Sequence, residues 1–218
     1  MTRPFRGPFL PGLLLVALVV GCGTPAYTYV ANSEQQTYVK IPNTWHPMDE
    51  RELADVFGLD PAVEPADVGI WQLGYDAAES PSATHLFGQH TTAPAAFISV
   101  QEVPPRLRGQ FSFDRLRNLF FPLTADARQM LAGRPTLLSD VTVLADQVLT
   151  PGHGLHGVRL VYRARVVGGP LQIFDQTAYL NDDASTLYVL YVRCSTVCYQ
   201  ERQQEIDDVV ASFTVKEG

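Results

Sequence analysis

The second half of the chain carries four runs of strand-forming residues, at about 141–150, 157–167, 171–180 and 186–192. Segments of hairpin type separate them, at 151–154, at Gly168-Gly169 and at 181–185, so the pattern predicts an antiparallel meander. The fourth run differs from the others. Leu187-Tyr188-Val189-Leu190-Tyr191-Val192 is apolar at every position, and a strand of that kind needs cover on both faces.

Upstream the elements are shorter. Tyr38, Val39 and Ile41 predict a strand ended by Pro42-Asn43, with Trp45 just beyond. Residues 49–57 predict a helix that opens on Asp49 and Glu50, where acidic groups suit the positive helix end, and spaces Leu53, Val56 and Phe57 along one face. Two further strands are expected at 68–75 and 96–103. The intervening 76–94 is poor in large apolar residues and predicts a long exposed loop. Ser112 and Thr124 can cap two helical pieces, interrupted at Pro122 and ended by Gly133 and Pro135. A last helix, from about 198 to 212, sets Ile206, Val209 and Val210 on one face, and 213–216 can add a closing strand. Residues 23–33 show neither period and predict a tether. The expected fold class is therefore α+β, one domain over 34–218.

Composition narrows the class of protein. With 46% hydrophobic and 18% charged residues the chain reads as globular. Its formal charge of −7 argues against nucleic acid as a partner and against electrostatic adhesion to anionic lipid.

The N-terminus supplies an address. Arg3 and Arg6 precede an apolar run from Leu13 to Val20, the order of a secretory signal, and the run is far shorter than the ~20 residues a membrane span needs. Val19-Val20-Gly21-Cys22 resembles the lipobox of bacterial lipoproteins. That resemblance implies a signal peptide over 1–21, acylation of Cys22 through its thiol, and a lipidated tether over 22–33. The protein would then sit on the extracytoplasmic face of the cell membrane, held there by its acyl chains. In that oxidising compartment the remaining cysteines, Cys194 and Cys198, are expected to form a disulfide. The bond requires the strand to end at or before Cys194 and to turn into a helix, which brings positions four apart to roughly 6 Å.

Two segments carry a resemblance for the rest of the chain. Tyr38-Val39-Lys40-Ile41-Pro42-Asn43-Thr44-Trp45 and Ile206-Asp207-Asp208-Val209-Val210-Ala211-Ser212-Phe213-Thr214-Val215, with the meander between them, look like the PsbP/Mog1-type domains of actinobacterial surface lipoproteins, including the LpqN/LpqT type. The resemblance implies an α/β/α sandwich around a central antiparallel sheet. Members of that group serve as photosystem accessory subunits, small-GTPase binders or lipoproteins of unknown role, so the fold implies no function.

Chemistry is sparse. No G-x-S-x-G elbow is present, His153 and His156 lie in a glycine-rich turn without a nearby carboxylate or thiol, and His85 and His90 read as solvated loop histidines. No cofactor or metal is expected. A two-residue turn at Gly168-Gly169 would pair Val167 with Pro170 and put Arg159, Arg163, Arg165, Gln172, Gln176 and Phe174 on one face. This basic stripe in an acidic protein is a candidate site for an anion or an acidic envelope partner. Its alanine replacement is expected to leave the fold intact. The reading is a lipid-anchored binding or accessory module of the cell envelope, with an envelope hydrolase of unrecognised active site as the alternative.

Overall fold

The structure, a computed structural model, describes residues 26–88 and 92–216. The expected signal peptide, Cys22 and His90 lie outside the described residues.

The all-apolar strand organises what is seen. It runs as β9 (Thr186–Ser195) inside a seven-stranded antiparallel sheet, between β5 (Ala95–Glu102) and β8 (Leu171–Asn181). Beyond β8 lie β7 (Leu155–Val166) and the edge strand β6 (Leu138–Gly152); beyond β5 lie β4 (Ile70–Asp76) and β3 (His46–Pro47). Every residue of β9 from Thr186 to Cys194 is buried. Tyr188, Leu190, Val192 and Cys194 face one covering layer, and Leu187, Val189 and Tyr191 face the other.

The first layer brings the chain ends together. β1 (Tyr27–Asn32), β2 (Thr37–Pro42) and β10 (Thr214–Val215) form a separate three-stranded sheet, joined in the layer by α6 (Thr196–Glu201) and α7 (Gln203–Ser212). Val39 and Ile41 of β2 share a core with Ile206, Val209 and Val210 of α7, as the apolar spacing of both segments requires. Polar groups fix the join. Ser212 Oγ accepts from the Lys40 amide at 2.9 Å, and the buried Trp45 ring donates from Nε1 to Glu205 at 2.5 Å, with Arg202 holding the same carboxylate through two bonds.

On the opposite face lie α1 (Glu50–Val56), α2 (Thr84–Phe87), α3 (Pro105–Arg108), α4 (Phe113–Arg117) and α5 (Ala125–Met130). Their starts follow the sequence. Asp49, Ser112 and Thr124 each accept from backbone amides as N-caps, satisfying donors that the first helical turn leaves open. Leu53, Leu86, Leu116, Phe121 and Leu123 close this side of the core.

Three expectations need correction. Part of the expected tether is β1, which pairs Tyr27–Asn32 with Pro42–Thr37. Only Val30 of this strand is buried, so its sequence carries no period. The 76–94 segment is not a plain exposed loop, because Ala83 and Leu86 are fully buried. The last helix is two helices, broken at Arg202.

Cys194 and Cys198 form the expected disulfide, with 5.8 Å between their Cα atoms. The strand runs one residue past the expected limit of Cys194, to Ser195, whose hydroxyl accepts from the Cys198 amide at 3.2 Å and caps α6. A bond closing so short a loop constrains little of the unfolded chain, about 2 kcal/mol on the entropy model. Replacing both cysteines by alanine should therefore lower stability by no more than about 2 kcal/mol in denaturant unfolding. A loss of twice that size would mean that the bridge holds the packing of β9 itself.

Candidate binding site

The hairpin between β7 and β8 does not have the register expected of it. Arg165 pairs with Leu171, Arg163 with Ile173 and Arg159 with Thr177, one residue away from the expected alignment. Two features of the turn explain the shift. Pro170 has no N–H with which to close a Val167–Pro170 pair. Instead Gly169 N donates to Val166 O at 2.9 Å, while the Val167 amide donates to Leu137 O. Val167 and Gly168 both take positive φ, 46° and 73°, so the turn falls over them and one extra residue precedes the ladder.

A one-residue slip moves every side chain to the other face. Arg159, Arg163 and Arg165 stay together, but Gln172, Phe174 and Gln176 turn away from them into the core. Two of the arginines are also engaged, while the buried Nε of Arg163 has no hydrogen-bond partner. Arg159 makes two bonds to the buried Asp175, at 3.0 and 2.6 Å, and lies 3.6 Å from Asp207 of α7. Arg165 holds Asp140 at 2.8 Å. The hydrogen bond to Asp175 raises the Arg159 pKa, while burial pushes the Asp175 carboxyl up in spite of that bond. Arg159 is thus a strut between sheet and helix.

The glutamines join a cluster that the sequence did not suggest. Phe174 is its centre, with Tyr162 stacked at 4.8 Å on one side and the Arg193 guanidinium 5.3 Å from its ring on the other. Gln172 and Gln176 flank Phe174 on the same face of β8, and Tyr191 lies opposite Gln176 on β9. All six side chains are buried. Burial raises the pKa of both tyrosines, and the two phenols influence each other although neither hydroxyl meets hydrogen-bond geometry. The overlooked signal was Arg193 itself, an arginine directly after six apolar strand residues and on the inward parity of Tyr191.

Above this cluster lies an open pocket of about 510 Å³. The linker after α4, the end of α5 and the start of β6 enclose it. Phe120, Phe121 and Leu138 line its apolar part, and Arg128 and Arg134 supply charge. Phe120 is 4.6 Å from the Tyr191 ring and Phe121 is 6.0 Å from Phe174, so the pocket and the buried cluster share an aromatic partition.

The histidines divide. His85 is no solvated loop residue: its Nδ1 lies 2.6 Å from Oδ2 of the fully buried Asp76, which also accepts from the Ala78 and Ser82 amides. His156 packs edge-on to Phe113. Among the described residues no three His, Cys, Asp or Glu side chains converge as a metal site would need.

Two sheets, one covered on both faces and one shared by the chain ends, define an α+β sandwich of the PsbP/Mog1 type. No family model matches the sequence, and no curated protein matches it. Among solved structures, the chain is similar to cyanobacterial PsbP (CyanoP) from Synechocystis sp. PCC 6803, with a TM-score of 0.54 and 14% identity over 90% of this chain and 96% of that one. LpqN of Mycobacterium tuberculosis, involved in cell envelope biogenesis, aligns with a TM-score of 0.45 and 12% identity, covering 88% of this chain and 91% of LpqN. The Saccharomyces cerevisiae Ran-binding protein Mog1p aligns with a TM-score of 0.40 and 11% identity, covering 87% and 95%. At these identities the likeness is one of fold.

The ion pairs make the three arginines unequal. Arg159→Ala leaves the Asp175 carboxylate buried without its partner and should cost about 3–5 kcal/mol. Arg165→Ala breaks a surface pair and should cost about 1 kcal/mol or less. Denaturant titration of the single variants measures both. Equal, small losses would show that Arg159 is not a strut.

Proposed function

We propose that the chain is a lipid-anchored, extracytoplasmic binding module of the bacterial cell envelope, one that holds an apolar anion in the pocket beside Phe120 and Phe121. The pocket is the observation that carries this reading. Its volume falls within the range of small-molecule sites, and it joins an apolar wall to a few charged groups that can orient a ligand. Arg128 and Arg134 select for negative charge, a selection that an otherwise acidic protein needs to make locally. The anchor is the acylated Cys22 that the Val19-Val20-Gly21-Cys22 resemblance implies, as in actinobacterial surface lipoproteins. No helix among the described residues is long and apolar enough to cross a membrane.

One observation favours the hydrolase reading. The buried Asp76 orients the His85 ring as the acidic member of a catalytic triad would. The neighbouring hydroxyl, Ser82 Oγ, donates to Glu52 at 2.5 Å instead of to His85, and it lowers the Glu52 pKa. The arrangement therefore suits a strut that orders residues 76–85 better than an activated nucleophile. The arginine stripe, with Arg159 and Arg165 already paired, is the weaker of the two anion-binding candidates.

Anilinonaphthalene sulfonate, an apolar anion that fluoresces when desolvated, tests the pocket. The intact protein should bind one equivalent, and Ala132→Trp, which fills the pocket, should weaken binding by at least roughly tenfold without changing Tm. Arg128→Ser with Arg134→Ser should weaken binding and flatten its salt dependence. Binding that ignores all three substitutions would overturn the assignment. For the anchor, Cys22→Ala should release the protein from membranes or leave it uncleaved; a processed variant that still partitions with membranes would refute lipidation.

A further inference from the structure

Arg193 is a permanent cation in the core. Its Nη2 donates to the Gly88 carbonyl, but Nε and Nη1 have no partner. Among the described residues no carboxylate pairs with it. The ionisable groups that it feels are the Tyr162 and Tyr191 phenols, which burial keeps protonated. Asp76 lies on the same face two strands away, but its oxygens are occupied by two amides and His85. Asp175 is on the opposite face, bound to Arg159. Contact with the Phe174 ring offsets only part of the charge, since a cation–π contact is weak beside the cost of desolvating an ion.

What surrounds the cation is a set of open donors. Tyr162 Oη, Tyr191 Oη and Gln172 Nε2 are buried and without partners, as are the two guanidinium nitrogens. In the ladder Gln172 is the diagonal neighbour of Arg193, within reach of so long a side chain. A single water molecule could accept at most two of these hydrogen bonds and would leave the charge uncompensated. The rings of Phe87 and Phe120 pack on Tyr191 at 5.5 and 4.6 Å, and Phe121 packs on Phe174, so aromatic rings cover the cluster on the side of the pocket.

We propose that Arg193, Tyr162, Tyr191 and Gln172 form an internal site for one monovalent anion of halide size. The anion supplies the missing charge and accepts from side chains on β7, β8 and β9, and so ties three strands of the meander together. The Oε1 atoms of Gln172 and Gln176, also unpaired, are left for a water beside the ion. The site is independent of the pocket reading, because the aromatic partition separates the two.

Bromide is the probe. Crystals of the intact protein grown in sodium bromide should show an anomalous peak within hydrogen-bond distance of Arg193 Nη1. Bromide at saturation should raise Tm by about 4 °C or more over sulfate at matched ionic strength. Arg193→Met should abolish that difference while the protein still folds. If Arg193→Met fails to fold, Gln172→Leu and Tyr162→Phe should each weaken the bromide dependence. No peak at Arg193, or a Tm indifferent to bromide, overturns the proposal.

Discussion

A strand that is apolar on both faces cannot sit at a surface, and the architecture follows from covering β9 twice. On one side the two ends of the chain converge, with β2, β10 and α7 sharing a core built on Val39, Ile41, Ile206 and Val209. This is why the two segments that resemble PsbP/Mog1 domains are 160 residues apart in sequence where Trp45 meets Glu205, yet form one structural unit. The other side is covered by short capped helices and the Phe120–Leu123 linker.

The two faces treat polar groups differently. Where α7 meets the sheet, charges are matched: Arg159 with Asp175 and Asp207, and Arg202 with Glu205, which also receives Trp45. Such pairing fixes position and leaves little free to bind. The opposite face leaves polar atoms of Arg193, Tyr162, Tyr191 and Gln172 open, beneath an aromatic partition with a pocket above it. Unsatisfied buried groups destabilise a fold, and most of those among the described residues lie on this face, with Arg163 Nε and Thr177 Oγ1 on the other.

Much of this was legible in the residues. The meander, the two-sided burial of Leu187–Val192, the helix start at Asp49, the caps at Ser112 and Thr124, and the Cys194–Cys198 bridge all rest on local rules of period, helix-end chemistry and reach. The hairpin register was not legible. The pattern of residues 157–180 fits two alignments one residue apart, and the choice between them was made by the missing N–H of Pro170 and by the bond from Val167 to Leu137, a residue some 30 positions upstream. That single step separated the glutamines from the arginine stripe and hid the cluster around Phe174. β1 was missed for a different reason: an edge strand with one buried residue has no period to read.

On the proposed reading, one face of the sheet is a scaffold and the other carries the ligand. Hydrogen–deuterium exchange of the intact protein with and without anilinonaphthalene sulfonate tests it most directly. Added protection should be confined to residues 118–141 and the strands beneath them, with α7 and β2 unchanged. Protection centred on α7, or spread evenly over both layers, would contradict it.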